Sequence, residues 1–117
     1  MEKTLFNRKG APVAYITGDT DQFIYSFSGN PHCYILQDTI FTIRGKHIGW
    51  FEDEIVYDIK GRRVGYTQTT CPSITFAEPA KQEKTEMGFC TERYIQNTKP
   101  EFCRSQSNLS LTEFLAQ

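Results

Sequence analysis

The first half of the sequence repeats itself four times, and this repeat constrains the fold more than any other feature. Each copy places an aliphatic residue before an aromatic anchor, a glycine four positions after the anchor, and a small residue and a second aromatic at positions eight and nine. The copies are LFNRKGAPVAY, IYSFSGNPHCY, IFTIRGKHIGW and VYDIKGRRVGY. The second aromatics are Tyr15, Tyr34, Trp50 and Tyr66. Such internal similarity indicates one supersecondary unit used several times.

The residues around each repeat glycine predict a turn. The anchors are followed by Asn7, Ser26, Thr42 and Asp58, and the glycine comes three positions later. A short polar residue at the first position and glycine at the fourth are typical of a type I β-turn. A left-handed glycine that closes such a turn gives a bulged hairpin connection. Each copy therefore predicts one β-hairpin.

This register predicts which residues face each other. We expect Leu5 to face Val13 and Ile40 to face Ile48, on the face that carries the second aromatics. The anchor aromatics are then expected on the other face beside the small residues, so that Phe41 shields its cross-strand glycine.

One hairpin is marginal in water, but four hairpins joined by short links can bury one another's faces. We therefore predict a mostly β fold of four sequential hairpins in a pseudo-fourfold arrangement. The four copies, with the stretch HIGWFEDEIVYDIKGRRVGY, resemble the fourfold β-flower proteins, small bacterial domains of four radiating hairpins. The resemblance covers residues 3–67. It implies the fold and no established activity, and no catalytic residues come with it.

Residues 68–117 differ from the repeats. Their apolar positions are scattered among polar residues and interrupted by prolines, so we predict a hairpin domain over 1–67 and an irregular arm over 68–117. Short strands or turns are expected near residues 74–76 and 93–95. The aromatic residues of the arm favour docking over free disorder.

The last residues of the arm predict a short helix near residues 110–117. Ser110 and Glu113 form a capping box, and Leu109 and Phe114 have the spacing of a hydrophobic staple. A helix of two turns is unstable alone and must pack on something. The surface is its own hairpin domain or that of a neighbour, which predicts a homo-oligomer or a protein partner held through residues 68–117.

Composition excludes several classes of protein. The net charge is −1, from 13 basic and 14 acidic residues, so no global positive field indicates nucleic acid. No run approaches the roughly 20 apolar residues of a membrane span. The N-terminus lacks the apolar stretch of a signal peptide, which predicts a cytoplasmic protein.

Charges within the repeats are sorted by sign. Seven basic residues lie in or beside the glycine turns: Arg8, Lys9, Arg44, Lys46, Lys60, Arg62 and Arg63. Six acids lie in the connections between repeats: Asp19, Asp21, Asp38, Glu52, Asp53 and Glu54. Because turns and connections occupy opposite ends of the hairpins, the domain should be electrostatically bipolar. Its basic end is predicted to meet an anion, an acidic partner or the acidic end of another copy.

Two further groups of residues are candidate binding sites. The second aromatics Tyr15, Tyr34, Trp50 and Tyr66 form either a cage for a cation, a platform for a sugar, or simply the core, which is the usual role of repeated aromatics. His32 stands where the other copies have Val13, Ile48 and Val64, a departure typical of functional positions. A hydrogen-bonded structural histidine is the alternative.

No enzyme motif, metal pattern or cofactor motif is present in the sequence. The four cysteines are Cys33, Cys71, Cys90 and Cys103, and their spacing matches no zinc site. We expect reduced thiols, with a disulfide or a metal site as alternatives. The sequence favours a non-enzymatic binding or assembly module that associates through its arm. The alternative is a domain that binds a small anion or glycan through Arg62 and Arg63 or through the second aromatics.

Overall fold

The computed structural model describes residues 2–17, 22–71, 77–84 and 100–117, and these form one mostly β structure with a short C-terminal helix. The strands are β1 Lys3–Phe6, β2 Pro12–Ile16, β3 Gln22–Ser26, β4 Pro31–Leu36, β5 Thr39–Thr42, β6 His47–Glu52, β7 Ile55–Asp58 and β8 Arg63–Tyr66, and the helix is α1 Leu111–Leu115. The expected strands near residues 74–76 and 93–95 lie outside the described residues. No helix in the described part of the chain is long and apolar enough to cross a membrane.

The eight strands form one closed antiparallel barrel in chain order. Consecutive strands pair both within a repeat and across the connection to the next repeat. The repeats are therefore not separate hairpins that meet only by their faces. We call the end of the barrel that carries the four glycine turns the turn end, and the opposite end the connection end.

The glycine turns have the predicted chemistry. The glycine that closes each turn has a φ between +80° and +91°, which side-chain-bearing residues rarely adopt. In the first turn the N–H of Gly10 donates to the carbonyl oxygen of Asn7 at 3.0 Å. The Asn7 side chain accepts from the N–H groups of Lys9 and Ala11, each at 3.0 Å. The short polar residue after each anchor therefore caps its own turn.

Next to each turn the predicted register is confirmed, for example in the pair Phe6 and Pro12, but farther from the turn it differs by a single residue. Leu5 pairs with Ala14 instead of Val13, and Ile40 pairs with Gly49 instead of Ile48. The register shifts inside each hairpin because one residue of the second strand has no partner: Val13, His32, Ile48 and Val64. Such a β-bulge adds one residue to one strand, and a one-residue shift exchanges the two faces. The predicted assignment of the faces was therefore wrong.

The barrel interior holds the aliphatic and the small residues of the repeats together with the helix. One buried cluster draws on all eight strands and on α1: Leu5, Ala14, Ile16, Ile24, Cys33, Ile35, Ile40, Ile48, Val56, Val64, Leu111, Phe114 and Leu115. A Cβ added to Gly49 would lie 2.9 Å from Cζ of Phe114, and one added to Gly65 would lie 3.0 Å from Cδ1 of Leu111. The helix, not an anchor aromatic, covers these two glycines, and the prediction that Phe41 shields Gly49 was wrong.

The rest of the described arm also packs on its own barrel. Beside β8, the N–H of Arg63 donates to the carbonyl oxygen of Ser105 at 2.8 Å, and the N–H of Ser107 donates to that of Arg63 at 2.7 Å. The Ser107 hydroxyl donates to the buried carboxylate of Asp58 at 2.6 Å. Beside β3, the N–H of Gln82 donates to the carbonyl oxygen of Phe27 at 2.7 Å.

Candidate functional site

The four second aromatics do not meet in one cage. They lie on four alternate strands, on the outer face of the barrel, and each pairs with the anchor aromatic of the next repeat in order around the barrel. The pairs are Tyr15 with Tyr25, Tyr34 with Phe41, Trp50 with Tyr57 and Tyr66 with Phe6. The ring centroids of the first two pairs are 6.1 and 5.4 Å apart. All four second aromatics are at most 4% exposed.

The arm covers part of this outer aromatic layer. The ring of Phe102 stacks on Tyr57 with centroids 4.0 Å apart and an interplanar angle of 5°. The Nζ atom of Lys81 lies 4.8 Å from the centroid of the Tyr15 ring. These contacts explain how aromatic side chains on the outside of a barrel become buried.

The two histidines occupy different environments. His32 lies at the bulge of the second repeat and is half-buried, and burial lowers its pKa. His47 is only 1% exposed and packs between the rings of Phe41 and Trp50, with centroid distances of 5.8 and 4.7 Å. Burial lowers the pKa of His47, and an interaction with the backbone of Gly49 opposes this shift in part. The burial of His47 was not predicted from the sequence, although the aromatic residues of the same repeat could have indicated it.

The barrel closes through a narrow seam between β1 and β8. Every other pair of neighbouring strands shares three or four residue pairs, but β1 and β8 share only Phe6 with Tyr66. All other neighbouring strands follow each other in the chain, so a short connection holds their ends together. The strands β1 and β8 are the first and the last, and no such connection joins them. Two cavities lie along this seam, one towards each end of the barrel.

The cavity at the turn end, which we call the basic pocket, has a volume of about 170 Å³. Arg8 and Lys9 of the first turn line it together with Arg63 of β8. The remaining lining residues in the described chain are Asn7, Val64, Gln106, Ser107, Leu109, Ser110 and Leu111, none of them acidic. The Nε atom of Arg63 is buried and makes no hydrogen bond to any residue that the structure describes. A buried donor without an acceptor is costly, so its surroundings favour an added acceptor.

The structure separates Arg62 from Arg63. Arg62 lines a different cavity of about 170 Å³ with Lys60, Ile59 and Leu109. Arg62 lies in the turn before β8 and Arg63 is the first residue of that strand, and the two arginines line different cavities.

The cavity at the connection end of the seam, which we call the connection-end pocket, is larger, about 470 Å³. Its lining comes from the N-terminal residues, the β6–β7 connection, the residues after β8 and the arm: Glu2, Lys3, Thr4, Phe6, Glu54, Thr67, Gln68, Thr69, Glu78 and Lys81. Lys3 pairs with Glu54 at 2.5 Å, and Lys81 pairs with Glu2 at 2.9 Å. Sequence reasoning missed this pocket because four distant segments contribute to it.

The described cysteines are free thiols. Cys33 is buried in the interior cluster, and burial raises the pKa of its thiol to about 12. Cys71 is half-buried and Cys103 is exposed, while Cys90 lies outside the described residues. Within residues 2–17, 22–71, 77–84 and 100–117, no three histidine, cysteine or acidic residues are grouped to hold a metal ion.

The geometry defines a class: a closed eight-stranded antiparallel barrel whose core is completed by a C-terminal helix. The family model described as 4-fold beta flower protein matches residues 3–115. The chain therefore belongs to the 4-fold beta flower protein family, as its repeats suggested. The match extends past the last repeat and through α1, in agreement with a helix that is part of the fold. No curated protein and no solved structure is significantly similar to the chain.

Proposed function

We propose that this protein is a non-enzymatic binding module that holds a small anion in the basic pocket. The observation that carries the proposal is the convergence of three cationic side chains, Arg8, Lys9 and Arg63, on one cavity without a carboxylate among its described lining residues. A bound oxyanion supplies acceptors to the guanidinium groups in charge-assisted hydrogen bonds, and these are about twice as strong as neutral ones.

The position of Arg63 supports this role. Its N–H and its carbonyl oxygen both hydrogen-bond to the arm, at 2.8 and 2.7 Å, which fixes the backbone from which the side chain extends. Groups held in place before binding lose less conformational entropy when the ligand arrives. The Arg63 guanidinium group, as part of the lining, then supplies N–H donors to the anion.

The size of the basic pocket limits the ligand. Pockets for drug-sized molecules have volumes of roughly 300–1,000 Å³, and this one has about 170 Å³. It therefore suits an inorganic oxyanion or a single anionic group of a larger molecule. Inorganic phosphate is the simplest probe of this chemistry.

Thermal unfolding in sodium phosphate against sodium chloride of equal ionic strength tests the proposal. A ligand that binds only the folded state stabilises it by RT ln(1 + [L]/Kd), which is about 1.4 kcal/mol at a tenfold excess over Kd. We expect Arg63→Gln to abolish the phosphate-specific rise in Tm. Arg44→Gln is the matched control, since Arg44 is an exposed arginine of the third turn and lines none of the three cavities. Arg62→Gln should also retain the effect.

Two results would contradict the proposal. Equal stabilisation by chloride would show a general salt effect, and full phosphate-specific stabilisation of Arg63→Gln would place the anion elsewhere. The urea midpoint of Arg63→Gln in chloride checks that the variant is folded.

Self-association through residues 68–117 stays a prediction, as do the pseudo-fourfold arrangement of the hairpins and a cytoplasmic location. The described segments of the arm contact their own barrel, so an interface there would use surfaces these contacts leave exposed. Light scattering of the full chain, with and without reductant, measures the solution mass and tests this prediction.

A further inference from the structure

We propose that the connection-end pocket binds a neutral, hydroxyl-rich ligand of sugar size. The pocket lies at the other end of the seam from the basic pocket and shares none of its lining residues. Its volume of about 470 Å³ is within the range of roughly 300–1,000 Å³ that small-molecule sites occupy.

The charges of the connection-end pocket are already paired. Lys3 bonds to Glu54 at 2.5 Å, and Lys81 bonds to Glu2 at 2.9 Å. The Glu78 carboxylate accepts a hydrogen bond from the Thr4 hydroxyl. Lys84 also bonds to Glu2, at 3.0 Å. A charged ligand would have to break one of these interactions, and a neutral ligand avoids that cost.

The same groups keep the capacity to bind hydroxyls. A carboxylate has about four acceptor positions and an ammonium group has three donors. Each ion pair therefore presents spare acceptors and spare donors side by side. A hydroxyl both donates and accepts, so neighbouring hydroxyls on one ligand match these pairs.

The remaining walls suit the same ligand. The hydroxyls of Thr67 and Thr69 lie 3.1 Å apart and add two groups that donate and accept. Phe6 adds an apolar residue to the lining, of which only 4% is exposed. A few polar groups around apolar surface are typical of small-molecule sites.

Backbone contacts fix the residues of this pocket before a ligand binds. The carbonyl oxygen of Glu54 accepts from the Thr70 hydroxyl at 2.6 Å and from the N–H of Thr67 at 3.3 Å. The β6–β7 connection is thereby tied to the residues that follow β8. The arm contributes Glu78 and Lys81 to the walls of the pocket.

Amide chemical shifts of the ¹⁵N-labelled full chain test the proposal. The probes are D-glucose, N-acetyl-D-glucosamine and maltose, each titrated separately. We expect at least one sugar to shift the amides of Thr4, Glu54, Thr67 and Thr69 in a saturable way and to leave those of Arg8 and Lys9 unchanged. Glu54→Gln should weaken that sugar's binding by about tenfold, the loss expected for hydrogen bonds to a charged group.

Asp38→Asn is the matched control because Asp38 is an exposed acid in another connection and does not line the pocket. It should bind the sugar as the wild type does. Thr69→Ala, at an exposed position, gives a second test if Glu54→Gln does not fold, and it should also weaken binding.

The inference would be overturned if none of the three sugars shifted any amide at millimolar concentrations or if the shifts were spread over amides far from the seam. Unchanged affinity in the folded pocket variants would overturn it as well. Phosphate that shifts these amides where the sugars do not would also overturn it. The anion proposal is tested by a different variant, Arg63→Gln, at the other end of the seam. Either proposal can therefore be refuted without affecting the other.

Discussion

Replacing Phe114 by alanine tests the role of the helix in the core. Phe114 is completely buried and faces Gly49, which has no side chain to move into the space that the ring vacates. Phenylalanine-to-alanine changes in cores cost about 3–5 kcal/mol, and the cost is larger where the site cannot collapse. The strands around Phe114 belong to a closed barrel and have little freedom to close the gap. We therefore expect a loss of about 4–5 kcal/mol, near the upper end of that range.

Urea unfolding followed by the fluorescence of Trp50, the single tryptophan, measures this loss. Trp50 is buried in the native state, so its emission reports unfolding of the barrel. Thr112→Ala is the control, because Thr112 is an exposed residue of the same helix and should change the free energy of unfolding by less than about 0.5 kcal/mol. A loss of less than about 1 kcal/mol for Phe114→Ala, with a normal m-value, would refute the placement of the helix in the core.

Three further predictions concern single residues. Gly49→Ala should cost more than about 2 kcal/mol of unfolding free energy in urea titrations, because the new Cβ would lie 2.1 Å from the carbonyl oxygen of Tyr57; a neutral change would contradict this. Burial lowers the pKa of His47, so its contribution to stability is complete above a pH of about 6.5 and is lost below it as the unfolded state takes up the proton first. Between pH 7.5 and 5.5, wild type should therefore lose more stability than His47→Gln, and equal losses would exclude this residue as the cause. Burial raises the pKa of Cys33 to about 12, so mass spectrometry should find its thiol unmodified by iodoacetamide at pH 8 until urea unfolds the chain; rapid native labelling would be the contrary result.

The local features of the fold were predictable from the sequence because they depend on neighbouring residues. The turn residue and the glycine of each repeat determine the turn, and the structure has that turn in all four copies. The start of the helix was equally local. The Ser110 hydroxyl accepts from the N–H of Glu113 at 3.1 Å, and the Glu113 carboxylate accepts from the N–H of Ser110 at 3.0 Å.

The register and the faces were not predictable because they depend on the whole barrel. A bulge at Val13 and at its equivalents places the aliphatic and small residues on one face. The pattern alone fits a regular ladder equally well. The small residues at the positions of Gly49 and Gly65 make sense only when the helix, far along the chain, is seen to pack there.

The candidate site was predictable only in part. The sorting of charges pointed to the basic turn end, where Arg8, Lys9 and Arg63 line one cavity. It gave no reason to separate Arg62 from Arg63, since that difference depends on where the turn ends and β8 begins. The connection-end pocket depends on contacts between the arm and the first residues of the chain, which no local pattern encodes.

The central structural claim is that the C-terminal helix completes the barrel. The sequence predicted that residues 1–67 form a domain and that the arm is an addition to it. The helix contributes three side chains to the interior cluster, each at most 4% exposed: Leu111, Phe114 and Leu115. We infer from this burial that the barrel needs the helix.

The most direct test compares the urea unfolding of a chain that ends at Asn108 with that of the full chain. Our account predicts that the shortened chain loses its cooperative transition or shifts it to a much lower urea concentration, because three buried side chains of the core are gone. A shortened chain that unfolds cooperatively at the midpoint of the full chain would contradict the account.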